Sequence, residues 1–219
     1  MFSNFIKNKE TIQFPLMIAG GGNTYKSTIA IIVALQKAYE QGGNCSVQFV
    51  ANWSHFCFEQ LILAVSRATG IDSQLIEGWL ISNKINLNVS CEIDTSSADT
   101  RYIIIDEVVE YLWSKEYLSE DRSHIEYPTT IKNNALKLLE LTKDYELLLV
   151  CPLRTNLVLF TGPGSPGQSL PQKRLDGVVK TTLVPACKSF INTSPLKTNS
   201  SFSNPKKIKT NNEFVKVLG

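Results

Sequence analysis

The chain has 219 residues, long enough for one domain with a buried core. Apolar residues make up 43% and charged residues 19%, which excludes a disordered or collagen-like chain. The formal charge of +2 is unevenly spread. Residues 188–219 hold six lysines and one glutamate, a net +5, leaving 16 basic against 19 acidic residues, −3, on residues 1–187. No apolar run reaches the ~18 residues that span a bilayer: residues 14–22 are too few, and residues 147–162 are interrupted by Pro152, Arg154 and Asn156. Lys7, Lys9 and Glu10 are not followed by an apolar core with a small-residue cleavage site, so no secretory leader is expected and the expected location is cytoplasmic. Cys45, Cys57, Cys91, Cys151 and Cys187 are widely spaced and contain no CxxC pair; reduced, mostly buried thiols are expected.

In chain order, residues 1–11 read as a short polar arm. Residues 14–19 form an apolar run stopped by Gly20-Gly21-Gly22, which reads as a buried strand. A helix follows over 27–41, ended by Gly42-Gly43. Residues 45–53 read as a second strand, 55–68 as a helix, and 72–81 as another helix capped by Asp72 or Ser73. Residues 85–89 fit a strand or a loop. Residues 101–107 form the clearest strand, Tyr102-Ile103-Ile104-Ile105 ending on Asp106 and Glu107. A polar stretch over 114–127 leads to a helix from about 129, with Leu136, Leu139, Leu147 and Leu148 marking its buried side and a break near Asp144. Strands are expected at 156–162 and 177–185, and residues from Pro195 on read as a mobile tail. Strands alternating with helices predict an α/β fold, a mostly parallel central sheet with helices on both faces.

Two segments carry chemistry. Gly20-Gly21-Gly22-Asn23-Thr24-Tyr25-Lys26-Ser27 has the spacing G-x-x-x-x-G-K-[ST], with Tyr25 where the second glycine belongs. Such a loop wraps backbone N–H groups round a phosphate. Its lysine reaches the terminal phosphates, its hydroxyl holds magnesium, and the next helix points its N-terminus at the anion. Lys26 and Ser27 are in place, and Thr28 adds a hydroxyl. The alternative is a glycine-rich turn in which Lys26 and Ser27 simply start a helix. The second segment is the strand ending in Asp106-Glu107, the Walker B pattern. There an aspartate at the carboxyl edge holds magnesium, and the adjacent glutamate polarises water as a general base.

Together these motifs resemble the additional-strand P-loop ATPases, the RecA-like and FtsK–HerA group, over residues 14–185. The resemblance implies a RecA-like P-loop NTPase fold with ATP and Mg2+ as cofactors. It implies that Gly20, Lys26 and Ser27 bind phosphates and magnesium, that Asp106 assists the metal, and that Glu107 is the catalytic base. In that family a further strand ends in a polar sensor; residues 156–161 are the expected match, with Thr161 or Gln168 as the sensor. Arg174, in the basic segment before the expected last strand, and Arg154 are candidates to reach a neighbouring subunit's phosphate. The implied domain is 1–187, followed by a basic tail, 188–219, that contacts DNA phosphates, packs on a neighbour, or is simply a solvated terminus. The implied function is an oligomeric, ring-forming ATPase that moves DNA. By size it is similar to the genome-packaging ATPases of membrane-containing viruses, which would place it in host cytoplasm or virion. A ParA-like partitioning ATPase and a non-catalytic nucleotide-binding module with a degenerate loop are the alternatives.

Overall fold

The computed structural model describes residues 1–3, 5–6, 12–21, 24–51, 56–117, 127–152 and 177–193, with the backbone alone for 113–117 and 127–130. Six strands form one sheet: β1 Leu16–Gly20, β2 Cys45–Val50, β3 Ile85–Ser90, β4 Thr100–Ile105, β5 Glu146–Pro152 and β6 Ser189–Asn192. Their order is β3-β2-β4-β5-β1-β6, and every pairing is parallel. β5 therefore stands between the glycine-loop strand and the acidic strand, in register Ile18 to Val150 on one side and Ile105 to Leu149 on the other. β5 is thus inserted between the two motif strands, and the all-parallel sheet agrees with the expected α/β fold class.

The near-continuous apolar strands follow from burial on both faces. Side chains alternate across the pleat. Leu16, Ile18, Tyr102, Ile104, Leu148 and Val150 join one core; Met17, Ala19, Ile103, Ile105, Leu147 and Leu149 join the other. The first core is covered by α1 Lys26–Glu40, α2 Phe58–Thr69 and α3 Ser73–Ser82. The second is covered by α4 Val108–Tyr117, α5 Tyr127–Glu140 and a helical segment made of a π turn, Val179–Leu183, and a short α turn, Val184–Ala186. Helices on both faces are thus as expected. Asp72 caps α3, accepting from the Gln74 N–H at 2.9 Å. Among the described residues no helix is long and apolar enough to cross a membrane.

Six expectations need correction. Phe2 and Ile6 do not sit in a polar arm; they are buried in the core that α1 covers, Phe2 donates its N–H to Gln36 Oε1 at 3.0 Å, and its ring meets Trp79 edge-on. A helix, α4, occupies 108–117, overlapping the expected polar stretch. Leu147 and Leu148 belong to β5, not to a long helix. A short apolar run buried on both sides has no period that separates strand from helix, and its leucines continue the spacing of Leu136 and Leu139. Residues 177–185 are helical rather than a strand. Their β-branched Val178, Val179, Thr181 and Thr182 favour a pleat locally, but burial of Val179 and Leu183 against α5 decides the outcome. The last strand is β6, beyond the expected domain end at 187, and it pairs Leu16 with Ser189 and Ala19 with Asn192. Residues 156–162 lie outside the described residues. All five cysteines are thiols, but only Cys45 and Cys151 are buried; Cys187 is intermediate, and Cys57 and Cys91 are exposed.

The reassignment of residues 129–152 is directly testable. Leu136 is 44% exposed on α5, whereas Leu148 is fully buried in β5. Leu148→Ala is expected to cost about 2–5 kcal/mol of unfolding free energy. Leu136→Ala should stay within about 0.5 kcal/mol. Urea unfolding followed by circular dichroism measures both, and similar losses would contradict the β5 assignment.

Candidate functional site

Parallel strands bring their carboxyl ends to one edge of the sheet. Three of those ends meet here. β1 ends at Gly20 and opens the glycine loop, β4 ends at Ile105 and delivers Asp106 and Glu107, and β6 ends at Asn192 and delivers Thr193. The helix after the loop, α1, packs against β1, β5, β4 and β2. It therefore crosses the inserted strand, and its first turn reaches the end of β4.

That crossing joins the two motifs. Ser27 Oγ donates to Asp106 Oδ1 at 2.6 Å. Asp106 is 3% exposed. Burial pushes its carboxyl above the ordinary carboxylate range; the Ser27 hydroxyl, the Lys26 ammonium and a backbone N–H at Glu107 pull the other way, and Glu110 adds to the rise. Lys26, also buried, donates from Nζ to the Gly21 carbonyl at 2.8 Å. The loop's own carbonyl thus holds the ammonium beside the mouth of the loop. α1 has no side-chain cap and no acidic residue in its first turn. The first N–H groups of a helix have no intrahelical acceptor, and the helix dipole adds positive potential there. The Lys26 ammonium and the uncapped start of α1 together offer positive potential to an anion.

Tyr25 takes the conformation of the glycine it replaces. Its φ is 58° and ψ 22°, the left-handed region, and its ring is 54% exposed. Its carbonyl still accepts the first helical bond, from Ile29 N–H at 2.8 Å. The bulky side chain is exposed while the backbone at this position keeps the angles a glycine would supply. Glu107 is also left-handed, with φ 49°, and its carbonyl accepts from the Glu110 and Tyr111 N–H groups as α4 begins. Among the described residues four non-glycine positions have positive φ, and two of them flank the Ser27–Asp106 bond. Backbone strain of this kind collects at working sites.

Thr193 carries no expectation from the sequence, yet it belongs to the site. It is 2% exposed, its N–H donates to the Ala19 carbonyl at 2.8 Å, and its Oγ1 lies 2.7 Å from Thr24 Oγ1. A Cβ on Gly20 would fall 1.8 Å from Thr193 Oγ1 and 2.6 Å from Thr24 Oγ1. Gly20 is thus required because two hydroxyls fill the space a side chain would take. The sequence signal is slight: Phe190 and Ile191 in a short, otherwise polar segment, too little to mark a strand.

The structure therefore brings together Gly20, Gly21, Thr24, Tyr25, Lys26, Ser27, Asp106 and Glu107. Thr28 is buried in the first turn of α1. Gly22, Asn23, Arg154, Thr161, Gln168 and Arg174 lie outside the described residues. Among the described residues no group of three or more His, Cys, Asp or Glu side chains gathers to hold a metal. The bonded pair of Ser27 hydroxyl and Asp106 carboxylate offers oxygen donors, the hard type that suits magnesium.

No known family model matches the chain, and no curated protein matches it in sequence. Among solved structures, the chain is similar to the ATPase domain of another protein, with a TM-score of 0.48 and 12% identity, over 80% of this chain and 67% of that one.

Two substitutions test the loop. Left-handed backbone costs a non-glycine residue about 1–2 kcal/mol. Glycine returns about 0.4–1 kcal/mol to the unfolded chain. Tyr25→Gly should therefore stabilise the protein by up to about 1 kcal/mol, raising the thermal midpoint by about 2–4 °C. Gly20→Ala should do the opposite, by about 1–3 kcal/mol, because both threonines must shift. Thermal unfolding of the two variants is expected to bracket the parent, and the reverse order would refute the described loop geometry.

Proposed function

We propose that this protein is an ATPase that hydrolyses ATP with Mg2+ and, as an oligomer, uses the cycle to move DNA. The observation that carries the reading is the 2.6 Å bond from Ser27 Oγ to Asp106 Oδ1, which joins the phosphate-loop motif to the acidic strand end. The inserted strand β5 and the left-handed Tyr25 support it, the first by topology and the second by keeping the loop's turn.

Each residue then has a distinct task. Lys26 exchanges the Gly21 carbonyl for terminal phosphate oxygens. The N–H groups at the start of α1 bind the same anion. Ser27 and Asp106 would hold the magnesium ion, Asp106 as the ionised carboxylate. Bound there, the ion supplies positive charge that neutralises the phosphate oxygens. Without it, burial works against the Asp106 charge; a cation at that spot reverses the balance, so metal and ionised Asp106 favour each other. Glu107, next along the chain, takes the proton of the attacking water. The motor reading is supported by the family resemblance of the motifs and by the +5 carried on residues 188–219, which suits a polyanion. Assembly as a ring of the genome-packaging kind belongs to the same proposal.

ATP hydrolysis is to be measured with and without double-stranded DNA. The wild type should be active and lose activity in EDTA. Lys26→Ala and Glu107→Gln should each be slower by about 10²–10⁴-fold. A wild type no faster than either variant would end the enzymatic reading. Light scattering with ATP separates a ring from a nucleotide-dependent dimer, and the dimer would favour the ParA-like alternative.

A further inference from the structure

The hydroxyl of Thr193 adds something the two motifs do not contain. Four polar groups form a continuous chain: Thr193 Oγ1 to Thr24 Oγ1 at 2.7 Å, Thr24 Oγ1 to the Gly21 carbonyl at 2.9 Å, and Lys26 Nζ to that same carbonyl at 2.8 Å. Thr193 Oγ1 also lies 3.3 Å from the Ala19 carbonyl. A hydroxyl has one proton to give. Two wirings are therefore open. In one, Thr193 donates to Thr24, and Thr24 donates to Gly21. In the other, Thr24 donates to Thr193, and Thr193 donates to Ala19. The first uses the two shorter contacts. It also fills both lone pairs of the Gly21 carbonyl, one from Thr24 and one from Lys26.

We propose that Thr193 is a positioning residue of the phosphate loop: its hydroxyl, acting through Thr24, fixes the Gly21 carbonyl on which Lys26 rests. The arrangement has a purpose when Lys26 leaves. A part-buried carbonyl that loses its donor is penalised, and Thr24 keeps Gly21 bonded after the ammonium turns to an anion. Thr193 holds Thr24 in that orientation. It can do so because β6 pairs with β1 up to Ala19–Asn192, the Thr193 N–H is tied to the Ala19 carbonyl, and Gly20 has no side chain to intervene.

The identity of the anion rests on the ATPase reading; the positioning does not, and the test keeps the two apart. Amide hydrogen exchange over residues 24–29 is measured in nucleotide-free wild type, Thr193→Val, Thr193→Ser and Thr24→Val. Amides of β4 and β5 report on the fold. Thr193→Val and Thr24→Val should exchange faster in 24–29 by about 10-fold with β4 and β5 unchanged, while Thr193→Ser matches wild type. Binding of a fluorescent ATP analogue should weaken about 3- to 10-fold in Thr193→Val and recover in Thr193→Ser. The Thr24→Val/Thr193→Val pair should weaken no further than either alone. Unchanged exchange in Thr193→Val, or a serine variant as impaired as valine, would overturn the proposal. If the exchange pattern holds while wild type binds no ATP analogue, the positioning stands and the ATPase reading falls.

Discussion

Asp106 is a carboxylate in a place where a carboxylate is costly. It sits at the end of a strand buried on both faces, and taking a charged group out of water demands compensation by hydrogen bonds and an opposite charge. Both come from the same short segment: the hydroxyl of Ser27 and the ammonium of Lys26. Much of the architecture follows from that requirement. The first turn of α1 must lie against the end of β4, although β5 separates β4 from the strand that feeds α1. The helix therefore crosses the sheet diagonally, and an apolar body running from Ile29 to Leu35 buries it between sheet and outer helices. Apolar burial elsewhere in the fold offsets the cost of bringing a base, an acid and a hydroxyl together.

How much of this can be read without the structure depends on what each segment has to advertise. β1 and β4 are short apolar runs ended by glycines or acids, β2 follows the Gly42-Gly43 stop, and α1 combines a long apolar body with that stop; all are legible close to their true limits. The glycine loop and Asp106-Glu107 are legible because residue type and spacing both stand in the local sequence. β5 escapes because Leu147 to Leu149 carry no period of their own, and the real turn at 141–145 contains neither glycine nor proline. The helical segment after Gly177 escapes for the opposite reason: its valines and threonines favour a strand, and only contact with α5 overrules them. Thr193 is invisible because its role depends on which strand lies beside β1, a long-range fact that no local pattern encodes.

Tyr25 illustrates how a motif survives a departure from its consensus. What the loop needs at that position is a backbone angle, not an absent side chain. Glycine meets the need at little steric cost; tyrosine meets it with strain, and the surrounding helix and loop contacts hold it there. Gly20 is the contrasting case. Its backbone is ordinary, and what matters is the volume it leaves open for two hydroxyls. The two positions of one motif are thus constrained by different physics, and only one of them has to be glycine.

The place of β6 in the sheet sets an order of events during synthesis. β1 is made long before β6, yet one of its two neighbours is built from residues 189–192. Until that segment has left the ribosome, β1 has an open edge and Thr24 lacks the hydroxyl that orients it. Contacts so distant in sequence form late. An emerging chain can therefore assemble most of its two cores before β6 covers the edge of β1 and Thr193 meets Thr24.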